Sequence, residues 1–176
     1  MTSTTPRFSV LFVCTHNSAR SQIAEALLRQ KAGDRFEVAS AGSEPGPAVN
    51  DLALRIIRGL GGDPGAHRPK GFDAVLGRPW DLVITVCDDA QEACPVLPVR
   101  TTTAHWGIPD PSKVQGSEEK RLGAFRAAEL SLARRIELFL ALGPEKIERL
   151  VLRDRLHRIH EEADEEADDR ELHADD

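Results

Sequence analysis

The chain has 176 residues, 40% hydrophobic and 30% charged, which is long enough for one well-buried domain with something left over. No apolar run approaches the roughly 20 residues needed to span a bilayer. No lysine- and arginine-rich stripe with interleaved aromatics marks a nucleic-acid surface, so membrane and nucleic acid are both excluded as partners. The net charge of -6 is unevenly spread: Glu161 to Asp176 hold ten acids against Arg170, while the other 160 residues carry 22 bases and 19 acids. Met1 to Arg7 contain no apolar h-region before a cleavage site, so the expectation is a cytoplasmic protein whose thiols are kept reduced.

In chain order, Phe8 to Val13 reads as a buried strand, and Ile23, Ala24, Leu27 and Leu28 mark a helix after it. Phe36 to Ser40 is a second short strand, and Ala41 to Pro47 is a Gly- and Pro-rich loop. Leu52, Ile56, Ile57 and Leu60 form a helical stripe that stops at Gly61-Gly62. Phe72 to Leu76 predicts a short helix, Leu82 to Val86 a buried strand, and threonine-rich Val99 to Trp106 another strand. Leu122 to Leu140 carry the stripe of a long helix ending at Gly143-Pro144. Ile147, Leu150, Val151, Leu156 and Ile159 then suit an amphipathic helix, followed by the acidic run, read as a solvated and partly disordered end. The expected domains are therefore residues 1–143, catalytic, and 144–176, a C-terminal helix and acidic tail. Strands alternating with helices predict an open parallel α/β sheet with helices on both faces, a three-layer α/β/α fold. In such sheets ligands bind beyond the carboxyl ends of the strands, where Cys14, Cys87 and Asp110 all fall.

The segment Cys14-Thr15-His16-Asn17-Ser18-Ala19-Arg20 lies between the first strand and the first helix. Backbone N–H groups and a helix N-terminus favour negative charge there, and Arg20 can add a bidentate fork. The loop is thus a candidate cradle for a tetrahedral oxyanion, with Cys14 as nucleophile. The same positive field is expected to lower the pKa of Cys14, and the Ser21 hydroxyl to hydrogen-bond its thiolate. The bland alternative is a buried strand-end cysteine beside a surface arginine. His16 is read as a spacing or anion-facing residue rather than a base, and neither His67 nor His105 has a partner at useful spacing.

Cys87 and Cys94 bear on the reaction type. Hydrolysis needs only a nucleophile, an arginine and an acid, whereas two further thiols seven positions apart are what a two-electron reduction requires. On a regular helix thiols seven apart lie about 10 Å from each other, more than the roughly 4.4–6.8 Å between Cα atoms in a disulfide. The 88–93 segment would therefore have to rearrange on oxidation. Core filling remains open for this pair. So does half of a zinc site, although no second C-x-x-C or closely spaced His pair completes one. Asp110, stiffened by Pro109 and Pro111, is a candidate general acid or a simple turn aspartate.

Together, Val13 to Gln22, Ser40-Ala41-Gly42, the Cys87-x6-Cys94-Pro95 pair and His105-Trp106-x3-Asp110-Pro111 resemble the thioredoxin-coupled arsenate reductases, which share the low-molecular-weight tyrosine phosphatase fold. The likeness covers about residues 8 to 142. It implies a four-stranded parallel sheet and reduction of arsenate to arsenite by a relay from Cys14 to Cys87 to Cys94. Thioredoxin would supply the electrons, arsenic detoxification would be the role, and no cofactor would be needed. Phosphate or sulfate would compete as oxyanions. Some members hold potassium through residues matching Asn17 and Ser40, but His67-Arg68-Pro69-Lys70 offers cations where oxygen ligands would be needed. The alternatives are a low-molecular-weight protein tyrosine phosphatase using Cys14, Arg20 and Asp110, and a non-catalytic oxyanion- or redox-responsive binding module. The absence of tyrosine and the presence of only two tryptophans count against a phosphotyrosine pocket.

Overall fold

The computed structural model describes residues 7–87 and 101–172, with side chains described as far as Ile159. Four strands, β1 (Phe8–Cys14), β2 (Phe36–Gly42), β3 (Leu82–Thr85) and β4 (Thr102–His105), form one sheet in the order β2-β1-β3-β4. Every pairing is parallel. The helices are α1 (Arg20–Ala32), α2 (Asp51–Gly59), α3 (Glu118–Ala141) and α4 (Pro144–Leu172). This is the parallel α/β architecture expected from the alternation of elements.

The central strands are buried without alternation, from Ser9 to Cys14 and from Leu82 to Thr85. Strands covered on both faces read as such continuous runs. Edge strand β4 alternates instead, half-buried at Thr102 and Ala104 and exposed at Thr103 and His105. Trp106, just beyond it, reaches back to Phe12 with ring centroids 6.0 Å apart. Phe36 packs on Phe139 of α3 at 5.7 Å, so the core is continuous from sheet to helix.

Local chemistry sets the helix ends. Asn50 caps α2 by accepting from Leu52 N at 2.9 Å, and Ser117 caps α3 by accepting from Lys120 N at 3.2 Å. Gly143, at φ +77°, turns the chain from α3 into α4, whose first residue is Pro144. α4 buries Ile147 and Val151 against the core. Arg155 Nη2 then donates to Asp81 Oδ1 at 2.7 Å, and Arg158 Nη2 to Thr103 Oγ1 at 3.1 Å. Asp81 Oδ2 accepts in turn from the N–H and hydroxyl of Ser9, both at 2.9 Å. This clamp sits at the amino edge of the sheet, opposite the Cys14 loop.

Where a short helix was expected over Phe72 to Leu76 there is one 3-10 turn, Phe72–Ala74. Next to it the Trp80 indole is buried and donates to Val75 O at 2.8 Å. β4 begins at Thr102, with Val99 and Arg100 outside the described residues. The acidic run is helical as far as Leu172, as the continuation of α4.

Candidate active site

The loop from Cys14 to Arg20 leaves the centre of the sheet at the end of β1 and runs into α1. Six of its seven carbonyls, Cys14 to Ala19, accept from hydrogen-bond donors. Cys14 O accepts from Ser43 N (3.2 Å), Thr15 O from Glu44 N (2.8 Å), His16 O from Gly46 N (2.9 Å) and Ser18 O from Asn50 N (2.8 Å). Asn17 O accepts from Gln22 Nε2 (3.0 Å) and Ala19 O from Ile23 N (3.0 Å). With these carbonyls engaged and the Asn17 N–H donating to Cys14 Sγ, the loop is a candidate anion cradle. Asn17 makes the bend at φ +50°, a left-handed conformation that Asn tolerates better than most side chains. β2 and the loop approach so closely that a Cβ on Gly42 would lie 2.6 Å from Thr15 O and 2.9 Å from Asn17 N.

Cys14 Sγ lies 2.8 Å from Ser21 Oγ and 3.2 Å from the Asn17 N–H that donates to it. The expected depression of its pKa is not found. Burial pushes the thiol above its ordinary value, and the hydrogen bonds from Ser21 and Asn17 oppose this without reversing it. The Arg20 guanidinium donates to Ile108 O at 2.8 Å and pairs with Asp110 Oδ2 at 3.2 Å.

Asp110 is constrained at both carboxylate oxygens. Oδ1 accepts from Ser112 N (2.9 Å) and Ser112 Oγ (2.7 Å), while Oδ2 faces Arg20. Burial works to raise its pKa, but the Ser112 bonds, then Arg20 and Lys113, outweigh it and hold the carboxyl below its ordinary range. The carboxyl is thus held against both Arg20 and the Ser112 turn, which fits the turn role and leaves Asp110 beside the loop as the candidate general acid.

Behind the loop lies a polar layer that sequence reading did not foresee. Asn17 Nδ2 donates to Ser21 Oγ (2.8 Å) and Ser40 Oγ (2.9 Å), and Ser40 Oγ donates to Glu25. Glu25, only 4% exposed on α1, is paired with Arg29 and has the Lys70 ammonium 4.0 Å away. Asn17 Oδ1 accepts from Lys70 N (2.8 Å) and Gln22 Nε2 (3.0 Å), and Gln22 Oε1 meets His67 Nδ1 at 2.8 Å. The available signal was polarity on an otherwise apolar helix face: Gln22 and Glu25 stand among Ile23, Ala24, Leu27 and Leu28, all buried. The oxygens of Asn17 and Ser40 are thus spent within the protein, and the cation beside them is Lys70. These residues do not fit a potassium ion.

The histidines differ from expectation too. His16 is exposed, and its Nδ1 is 3.0 Å from Glu44 O, so the ring lies on the outside of the loop. His67 has Gln22, and His105 Nδ1 lies 2.8 Å from Thr85 Oγ1. Among the described residues no group of three or more His, Cys, Asp or Glu is arranged to hold a metal ion.

Cys87 follows β3, the strand paired with β1, and is buried at 3% exposure. Its sulfur lies 3.3 Å from the hydroxyl of Thr15, the residue next to Cys14. Charge on Cys87 would also raise the pKa of Cys14, so the two thiols are neighbours. Cys94 and the 88–93 segment lie outside the described residues.

A strand, an anion-shaped loop opening on a cysteine and closing on an arginine, and a helix define a phosphatase-type oxyanion site. Residues 9–150 match the family model described as low molecular weight phosphotyrosine protein phosphatase, and the chain belongs to that family. Within it the chain groups with arsenate reductases. It is 35% identical over 134 residues to an arsenate reductase of Halalkalibacterium halodurans and 34% identical over 134 residues to one of Bacillus subtilis. Each alignment covers 76% of this chain and 96% of the relative. Among solved structures, the Corynebacterium glutamicum thioredoxin-dependent arsenate reductase superposes with a TM-score of 0.56 at 31% identity. That match covers 77% of this chain and 64% of the other, so the chain spans a little under two thirds of that protein.

Proposed function

We propose that this enzyme reduces arsenate to arsenite through a three-thiol relay regenerated by thioredoxin, and that it serves arsenic detoxification in the cytoplasm. The observation that carries the reading is the contact of Cys87 Sγ with Thr15, which sets a second buried thiol at the rim of the loop that holds Cys14. A hydrolase has no use for it.

Arsenate sits in the ring of N–H groups from Thr15 to Arg20, with the Arg20 guanidinium on two of its oxygens. Cys14 Sγ attacks arsenic, and one arsenate oxygen leaves as water, forming a sulfur–arsenic(V) bond. Asp110 relays protons to the leaving oxygen. Cys87 thiolate then attacks Cys14 Sγ. The sulfur–sulfur bond forms, the sulfur–arsenic bond breaks, and its electron pair stays on arsenic, which departs as arsenite. Cys94 thiolate attacks Cys87 in the new disulfide and releases Cys14 as thiolate. The Cys87–Cys94 disulfide is reduced by the dithiol of thioredoxin, which supplies two electrons and two protons. Ser21 steadies the Cys14 thiolate at each stage in which it is free.

Burial raises the pKa of Cys14 and the Ser21 and Asn17 hydrogen bonds oppose it, so the attack relies on those bonds to favour the thiolate. A phosphatase reading makes the opposite demand on Cys87, and one variant separates the two. In Cys87→Ser, arsenate-dependent oxidation of reduced thioredoxin should fall to background, while hydrolysis of a small aryl phosphate, if present in the parent, should be unaltered. Arsenate-dependent thioredoxin oxidation that survives in Cys87→Ser would refute the relay.

A further inference from the structure

Helix α4 uses one face to dock and leaves another bare. Ile147, Val151 and Arg155 hold it to the sheet. On its outer side Leu152, Leu156 and Ile159 are 56%, 59% and 54% exposed. Their spacing, i, i+4 and i+7, is that of one continuous stripe, and helical register carries it to positions Ala163 and Ala167 before the helix ends at Leu172.

Charge along the helix changes sign across this stripe. From Pro144 to Ile159 there are five bases and three acids, and from Glu161 to Leu172 eight acids and one base. An apolar stripe with a basic first half and an acidic second half is complementary to itself when turned end for end. A parallel pairing would set the acidic halves against each other, whereas an antiparallel pairing sets each acidic half on a basic one.

We propose that the bare face of α4 is a self-association surface, taking a second copy of this chain in an antiparallel, two-fold symmetric helix pair. The interface is isologous, with its axis between positions 159 and 160. Position 156 then lies opposite position 163 of the second copy, and position 152 opposite position 167. Arg149 and Arg153 flank it and meet the partner's acidic half. The pair forms away from the catalytic loop, because α4 docks at the amino edge of the sheet, and both active sites stay open to their substrate and reductant.

The test is the mass of the full chain in solution. At tens of micromolar protein and about 50 mM NaCl, where exposed charges are weakly screened, sedimentation should give twice 19.3 kDa. The dissociation constant should rise by about tenfold or more at about 0.5 M NaCl. Leu156→Glu should sediment as a monomer with an unchanged far-ultraviolet circular dichroism spectrum. For orientation, in a background with Cys14, Cys87 and Cys94 replaced by Ser, Leu152→Cys mixed with Ala167→Cys should form a disulfide heterodimer, and Leu152→Cys alone should not. A chain that remains monomeric at about 100 µM in low salt would overturn the proposal. So would a dimer that survives Leu156→Glu, or Leu152→Cys cross-linking to itself. A monomer whose Leu156→Glu variant has a raised KM for thioredoxin would assign the face to the reductant instead.

Discussion

The two edges of the sheet solve the same physical problem by different means. At the carboxyl edge, the groups around Cys14 are tied into one buried network: the engaged loop carbonyls, Asn17, Ser21, Ser40 and Gln22, together with the charges of buried Glu25 and the Arg20–Asp110 pair. At the amino edge one charged pair, Asp81 with Arg155, ties α4 to the N-termini of β1 and β3. Many-membered networks in a closed space are rigid and intolerant of a misplaced atom, whereas a single half-exposed ion pair holds loosely and is screened by salt. The carboxyl edge is built to fix geometry and the amino edge to fasten an added helix.

The sharpest way to break this contrast is Gly42→Ala. The new methyl would strike the backbone of Thr15, His16 and Asn17, so the loop must move. We expect a loss of about 1–3 kcal/mol in stability, the usual cost of overpacking, together with at least a tenfold fall in kcat. If this variant were as active as the parent, the loop would have to be far more pliable than its hydrogen bonds imply.

Next in size is Ser21→Ala. Ser21 lowers the Cys14 pKa, so its removal adds to the rise already caused by burial. The rate of Cys14 alkylation by iodoacetamide should shift to higher pH, and at neutral pH should fall several-fold because less thiolate is present. Alkylation that quickens at neutral pH would reverse the sign assigned to that hydrogen bond.

The smallest effect is expected at the other edge. Arg155→Ala should cost about 1 kcal/mol, as partly exposed ion pairs do, read as a midpoint shift of a few degrees or less. Asp81 and Asp110 are both depressed in the folded state. Each therefore contributes stability above its unfolded value near 3.8, and that contribution is lost as pH falls through the lower folded value. Arg155→Ala should flatten this acid loss for Asp81 while leaving the Asp110 share in place, measurable by urea unfolding across pH 2–5.

How much of this was legible in the sequence depended on range. The strand, loop and helix around Cys14 are contiguous, and their periodicity and anion-loop spacing made both the local fold and the position of Cys14 at the strand end legible. The sheet edge shared by Cys14 and Cys87 followed from a rule about parallel strands, with no contact needed. What escaped was long-range. Glu25 meets Ser40 and Lys70, and Gln22 meets His67 and Arg68, across 15 to 46 positions that no local pattern connects. The sign of the Cys14 shift escaped for a related reason: the loop predicts a positive field, but depth of burial is a tertiary fact. Asp110 was found by its prolines, while its Ser112 partner, two residues on, was overlooked.

The engaged carbonyls of the Cys14 loop carry a further consequence for selectivity on the proposed reading. A ring of amide hydrogens measures the charge and tetrahedral shape of its guest and hardly senses which element sits at the centre. Arsenic and phosphorus oxyanions should therefore enter with comparable ease, and discrimination must come after entry. Only an adduct whose central atom accepts the electron pair of the broken sulfur bond lets the relay proceed, so the enzyme would tell its substrate apart by redox chemistry where recognition cannot.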